Sequence, residues 1–373
     1  PIGIYPHAYG DMVYSGSAVI DWSNSSGFKT ESNDVMVAAY TSTGRGECIA
    51  FSNDRGRTFT DYTGNPVVSH SGRDPRLLWF APSNHWVMVV YDESPNQPHG
   101  MAFYSSTNLR DWTYHSRLPG LFECPDLFAL AVDGQTNNLK WILNDASGGY
   151  LIGQFDGHTF TPETQKLNGN SGNAFYASQT YSEMPLGDAR RVQISWGQIS
   201  TPGMPFNQMM LFPTELTLRT TTNGLRLCAE PVQEIVNLHG DEYSWSNLNL
   251  SPGENPFWGI RGELFELRAE FDPGTATQLT FSFRGLTMTY NTAAQQISCN
   301  GITNPLPESN GVVRLRVLVD RTSIEIFGND GELYMPMRAS YADTNVLSVT
   351  TQGGTAHFNS LHVYKLRSAW PQP

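Results

Sequence analysis

Short apolar runs rich in β-branched and aromatic residues, each closed by a cluster of Gly, Asn, Asp or Pro, recur along the chain. Val35–Tyr40, Trp86–Tyr91, Leu127–Val132 and Val192–Trp196 are examples. Runs of this length suit buried strands better than helices, and the residues bounding them are turn formers. An all-β fold is therefore predicted. The 34 Gly and 23 Pro agree with many strands joined by tight turns. At 373 residues the chain has room for two domains of ordinary size, each with its own core.

A repeat makes the first of these domains more specific. Ser52-Asn53-Asp54-Arg55-Gly56-Arg57-Thr58-Phe59, then Ser105-Ser106-Thr107-Asn108-Leu109-Arg110-Asp111-Trp112, then Phe155-Asp156-Gly157-His158-Thr159-Phe160 each read as a strand, a polar turn and an aromatic. Their spacing, roughly 50 residues, is that of a four-stranded propeller blade. The plain role for the polar residues is to close a hairpin. From about Leu218 the character changes, and Leu225–His239 reads as a connector. Beyond it Phe265, Leu267, Ala269 and Phe271 are predicted to face inward, with Glu266, Arg268 and Glu270 outward. Val313–Val319 and Ser323–Phe327 follow the same pattern, and turns such as Gly328-Asn329-Asp330-Gly331 separate such strands. The prediction is a β-propeller over 1–218, a connector over 219–240 and a β-sandwich over 241–373.

With 23 basic and 35 acidic residues the formal charge is -12. Such a surface repels phosphate backbones and anionic lipid, which argues against nucleic acid and membrane partners. Cys48, Cys124, Cys228 and Cys299 lie too far apart for the close spacing of a zinc site or redox dithiol, so free, mostly buried thiols are predicted. No apolar run is long enough to span a bilayer, and the N-terminus lacks the build of a signal peptide. The chain starts at Pro1 rather than Met, which reads as a processed or truncated product. Its location stays open, with an extracellular or periplasmic setting favoured over a cytoplasmic one. Its oligomeric state is equally open.

Two carboxylates stand out. Asp74 lies in Ser71-Gly72-Arg73-Asp74-Pro75, where the following proline is predicted to hold it extended. Arg73 beside it favours an ionised Asp74 and offers a fork of donors. Glu123, in Leu121-Phe122-Glu123-Cys124-Pro125-Asp126, has apolar neighbours, and desolvation there would raise its pKa. A protonated Glu with an ionised partner is what glycosidic cleavage requires. The plainer alternative is a turn cap at Asp74 and a surface ion pair at Glu123.

Tyr14-Ser15-Gly16-Ser17-Ala18-Val19, Arg73-Asp74-Pro75 and Glu123-Cys124-Pro125-Asp126-Leu127, in that order, resemble motifs of glycoside hydrolase family 32, the invertases, inulinases and levanases. Ser195-Trp196-Gly197, Met204-Pro205-Phe206-Asn207-Gln208 and Val319-Asp320-Arg321-Thr322-Ser323-Ile324-Glu325-Ile326-Phe327 extend the resemblance over essentially the whole chain. It implies a five-bladed propeller with a funnel-shaped site, a retaining mechanism on terminal fructosyl groups, and no cofactor or metal. The implied partner is a fructose-containing oligo- or polysaccharide. By the same resemblance Asp74 is the transition-state stabiliser, Glu123 the acid/base, and Arg73 pairs within the site. Tyr14 and Ser15 contact the terminal fructose, and Trp196 either walls a sugar ring or packs in the propeller core.

The family's nucleophile belongs to an N-terminal Trp-Met-Asn-Asp-Pro-Asn-Gly-like string, and no such string occurs. The expectation drawn from this is a chain lacking that N-terminal segment, with its first blade largely absent. Asp11 and Asp21 are the nearest substitutes, although turn roles suit both. Two readings rival a β-fructofuranoside hydrolase: a non-catalytic fructan- or fructose-binding protein, and an unrelated propeller hydrolase acting on arabinose or sialic acid sugars.

Overall fold

The structure, a computed structural model, describes residues 2–342 and 344–370, so Pro1 lies outside it. Every regular element longer than one short 3-10 turn is a strand among the described residues. The strands fall into two compact units. The first runs to Asn168 and adds Ala177–Gln193, and the second takes Gly169–Tyr176 and the chain from Ile194.

In the first unit, β1 (Val13–Asp21), β2 (Val35–Ser42), β3 (Gly46–Ser52) and β4 (Thr60–Asp61) form one antiparallel four-stranded sheet in chain order. A second contains β5 (Gly72–Phe80), β6 (His85–Asp92), β7 (Gly100–Ser106) and β8 (Thr113–Pro119). A third meander contains β9 (Asp126–Val132), β10 (Gln135–Asn144), β11 (Gly149–Phe155) and β12 (Phe160–Pro162), with β13 (Leu167–Asn168) also on β11. These meanders are propeller-like. The expectation of a first blade largely absent is corrected here, because β1–β4 is a four-stranded sheet whose core residues Val19, Val37 and Ile49 are buried with Leu77 and Met88 of the second. A further cluster joins Val89 and Phe103 of the second sheet to Leu127, Leu143 and Phe155 of the third.

The repeat proves to be one turn used three times, between the third and fourth strand of each meander. Asp54 accepts backbone N–H groups from Arg57 and Thr58, Asn108 from Arg110 and Asp111, and Asp156 from His158 and Thr159. Side-chain oxygens thus satisfy the turn's own donors, as short polar residues do.

The first strands of the meanders meet one another. Ser17 on β1 donates its hydroxyl to Pro75 O on β5 (2.9 Å) and accepts the Leu77 N–H (2.8 Å). Arg76 on β5 is buried, with Nε 2.9 Å from Asp126 Oδ1 on β9. That contact is an ion pair without hydrogen-bond alignment. Arg76 Nη1 donates to Thr180 O, and the Thr180 N–H donates to Asp126. Thr180 ends β14 (Phe175–Thr180), whose Gln179 donates to Gly16 O. Inner strands β1, β5, β9 and the end of β14 are therefore cross-tied by polar groups, of which Arg76, Asp126 and Thr180 are buried and depend on one another for partners.

The second unit holds the end of β15 (Arg191–Gly197), β16 (Met209–Met210) and the hairpin of β17 (Thr214–Thr221) and β18 (Gly224–Pro231). Residues 219–240, expected as a connector, contain the whole of that second strand and a 3-10 turn at Gln233–Leu238. Two sheets follow. One orders β19 (His239–Leu250), β29 (Ala356–Leu366), β20 (Phe265–Asp272), β25 (Val313–Val319), β26 (Ser323–Gly328) and β27 (Leu333–Arg338). The other orders β24 (Ile302–Pro305), β23 (Gln296–Cys299), β22 (Leu286–Asn291), β21 (Gln278–Phe283) and β28 (Leu347–Gln352). Phe271 packs against Phe281, Tyr290 and Phe358, and burying each such ring stabilises by about 1.5–3 kcal/mol. Phe265, Leu267, Ala269 and Phe271 face this core as predicted. Glu266, predicted outward, is fully buried, because Arg268, Arg316 and His239 all converge on its carboxylate.

Glu325 on β26 is also fully buried. It accepts the Phe212 N–H (3.0 Å) and the Tyr334 hydroxyl (2.8 Å), and burial pushes its carboxyl up to about 7. All four cysteines are free and buried. No described helix is long and apolar enough to cross a membrane.

Candidate active site

Residues singled out in the sequence gather at the N-terminal ends of inner strands. Tyr14 and Ser15 open β1, Arg73 and Asp74 open β5, and Glu123 precedes β9. The backbone there is irregular in each case. β1 changes register between Tyr14 and Gly16, so Ser15 is the extra residue of a bulge. Gly16 is required beside it, since a Cβ would lie 1.8 Å from Ala39 O. β5 bulges between Arg73 and Arg76.

Asp74 is not extended, as the following proline led us to expect, but left-handed, at φ 66°. Glu123 (φ 55°) and Cys124 (φ 42°) share that region. Such conformations cost of order 1–3 kcal/mol each and persist where neighbours impose them. The neighbours are identifiable. The Asp74 N–H donates to Thr41 Oγ1 (2.9 Å), and Thr41 in turn donates to Glu47 (2.8 Å). Thr41 is also the cross-strand partner of Tyr14, which links the start of β1 to Asp74. On the other side, the Ala146 N–H donates to Glu123 O (3.0 Å) and the Phe122 N–H to Asp145 (3.4 Å).

Arg73 brings the two carboxylates together. Its Nη2 lies 2.5 Å from Glu123 Oε1 and its Nε 3.9 Å from Asp74 Oδ2. Asp74 is 5% exposed and accepts the Cys124 N–H (3.2 Å). Burial raises the Asp74 carboxyl above its ordinary value, against the opposing pull of the Cys124 N–H and the Arg73 charge. The sequence placed desolvation at Glu123; in the structure Asp74 is the more enclosed, and the Glu123 side chain keeps a fifth of its surface. Asp11 and Asp21, the candidate substitutes, each close a turn. Asp11 accepts from Gly44 N–H, Ser42 and Thr43, and Asp21 from the N–H groups of Ser25 and Ser26.

Three residues of this cluster went unnoticed in the sequence. Glu93 meets Arg73 Nη1 at 2.7 Å, the guanidinium lies 4.8 Å over the Tyr91 ring, and Phe122 stands edge-on to Tyr91. The tyrosine hydroxyl contacts His99 Nδ1. The available signal was the polar end of β6, where Tyr91-Asp92-Glu93 breaks an apolar run. Trp196 belongs to the second unit. There its Nε1 donates to Gln208 (3.1 Å), Tyr176 stands edge-on to it, and 38% of its surface is exposed. A guanidinium bridging a buried and a partly buried carboxyl can support acid/base and charge-stabilising chemistry at one centre.

The chain is 34% identical to a levanase of Bacillus subtilis over 99% of its own length, and 29% identical to a levanase of Bacillus sp. strain L7 over 96%. It spans 62% and 46% of the lengths of those two proteins. The crystal structure of exo-inulinase from Aspergillus awamori superposes with a TM-score of 0.87 at 27% identity, covering 99% of this chain and 87% of that one. The family model for the glycosyl hydrolases family 32 N-terminal domain matches residues 1–231, and that for the family 32 C-terminal region matches 234–365. The first match overturns the expectation of a missing N-terminal segment. That expectation rested on one short string, whereas the domain model weighs the whole of 1–231. Motif order, strand-end geometry and both matches agree: the chain belongs to glycosyl hydrolase family 32.

Proposed function

We propose that this chain is a glycosidase that releases terminal fructose from β-fructofuranosides such as sucrose, inulin and levan, with retention at the anomeric carbon. Glu123 protonates the leaving oxygen and later activates water. Asp74 stabilises the oxocarbenium-like transition state and grips fructose hydroxyls, while Arg73 fixes both carboxylates. Tyr14 and Ser15 contact the terminal fructose, and the meanders are blades of a five-bladed propeller. Domain limits of 1–218 and 241–373 accompany this reading.

The observation that carries it is the contact of Arg73 Nη2 with Glu123 Oε1 at 2.5 Å beside a buried Asp74. The relatives' names, levanase and exo-inulinase, support the substrate class. The double displacement also needs a carboxylate nucleophile, a role left unassigned because Asp11 and Asp21 are engaged in turns. The test is fructose release from sucrose, inulin and levan by the purified chain. Release that Glu123→Gln abolishes is expected, with methyl β-fructofuranoside formed in aqueous methanol. No release from any of the three, or an inverted methanolysis product, overturns the proposal.

A further inference from the structure

Arg73 is held on three sides. Nη2 lies 2.5 Å from Glu123 Oε1, Nη1 lies 2.7 Å from Glu93 Oε1, and Tyr91 presents its ring face at 4.8 Å. Glu93 follows β6 directly, and its backbone N–H donates to Ser71 O (2.8 Å), just before β5. Its carboxylate thus reaches Arg73 from a fixed backbone position. A guanidinium is planar, with donors in fixed directions. Pinning Nη1 and one face therefore determines where Nη2 and Nε point.

The charges matter as much as the geometry. Arg73 and Asp74 on β5, Tyr91 on β6 and Cys124 alongside all face Glu123, and Glu93 faces Arg73 and Tyr91. Of these, Arg73 alone is cationic. An unshared cation in contact with a carboxyl favours its ionised form, whereas a general acid has to be protonated.

We propose that Glu93 is a positioning residue for Glu123, acting through Arg73: it orients the guanidinium and shares its charge, and so sets how Arg73 meets the Glu123 carboxyl. The inference rests on Glu123 being the acid/base of the proposed reaction. Glu93 keeps 38% of its side-chain surface, so the coupling is partly screened by solvent.

Glu93→Gln preserves shape and removes the charge. The basic limb of the kcat profile on sucrose is expected to move to lower pH by about half a unit, with KM changed less than twofold, and 1 M NaCl is expected to shrink the difference. Glu93→Asp, which keeps the charge, is expected to restore the limb. In parallel, carbon-13 NMR of labelled Glu carboxyls, with the Glu123 signal assigned from Glu123→Gln, follows the titration directly and needs no turnover. An unmoved limb and an unmoved Glu123 midpoint overturn the inference, as does a loss of kcat that is uniform across pH. A midpoint that moves in a protein releasing no fructose supports the coupling while overturning the fructosidase reading.

Discussion

The backbone N–H of Cys124 donates to Asp74 Oδ2 over 3.2 Å, so the residue after Glu123 holds the opposite carboxylate. Each candidate catalytic group is thereby positioned by the other's neighbour, from β5 on one side and the turn before β9 on the other.

This arrangement makes Cys124 a poor nucleophile. Burial, then the adjacent Asp74 charge, hold its thiol well above the ordinary range, and burial pushes Cys48 up to about 11 and Cys299 up to about 12. Thiolates are the reactive form. At pH 8 the native protein is expected to show no fast thiol towards Ellman's reagent, and four after denaturation in guanidinium.

Glu123→Gln is expected to lower kcat on sucrose by about 10²–10⁴-fold, the usual contribution of general acid–base catalysis, with KM little changed. Asp74→Asn should be comparably damaging. Residual rates within tenfold of the parent for both variants would sink the assignment.

The Arg76–Asp126 pair is buried between β5 and β9. Arg76→Ala removes the cation in contact with the buried Asp126 carboxylate and leaves it only the charge of Arg191 nearby, and we expect up to about 3–5 kcal/mol of lost stability in urea titrations. Replacing both, Arg76→Met with Asp126→Leu, should recover part of that loss, since the desolvation penalty disappears with the charges.

Glu325 makes stability pH-dependent. Its carboxyl stands at about 7 in the folded chain and near 4.5 otherwise, so between those values the folded state binds the extra proton. Stability from this group is full below 4.5 and is lost as pH rises through about 7. Glu325→Gln keeps an acceptor for the Phe212 N–H. Its Tm relative to the parent is expected to climb from pH 4.5 to pH 7 and level off above. A constant difference across that range would contradict the assignment.

Local patterning made much of the fold legible. Alternation located β20, β25 and β26, and the polar turn repeated at Asp54, Asn108 and Asp156 revealed the meander period. The turn Gly328-Asn329-Asp330-Gly331 carries positive φ at Asn329 and Asp330, as a tight hairpin demands. Motif order likewise singled out Arg73, Asp74 and Glu123, which the structure brings together. What stayed hidden depends on partners distant in the chain. Asp74 is enclosed because Cys124 and Thr41 cover it, and Glu266 is buried because Arg316 and His239 reach it across the sheet. Glu93 looked like any polar strand end until β5 and β6 aligned it with Arg73. The left-handed backbone at Asp74 follows from a bulge, and a bulge is a property of pairing rather than of one strand.

The left-handed backbone at Asp74, Glu123 and Cys124 sets a limit on how this protein can be made hardier. Glycine or asparagine would relax that torsional load at each position. On the proposed reading, directed evolution scored on heat resistance alone is expected to be drawn to these three codons and to discard turnover as it succeeds. A campaign that instead fixes residues 73–74 and 122–124, and diversifies the sandwich strands, keeps the two traits separable.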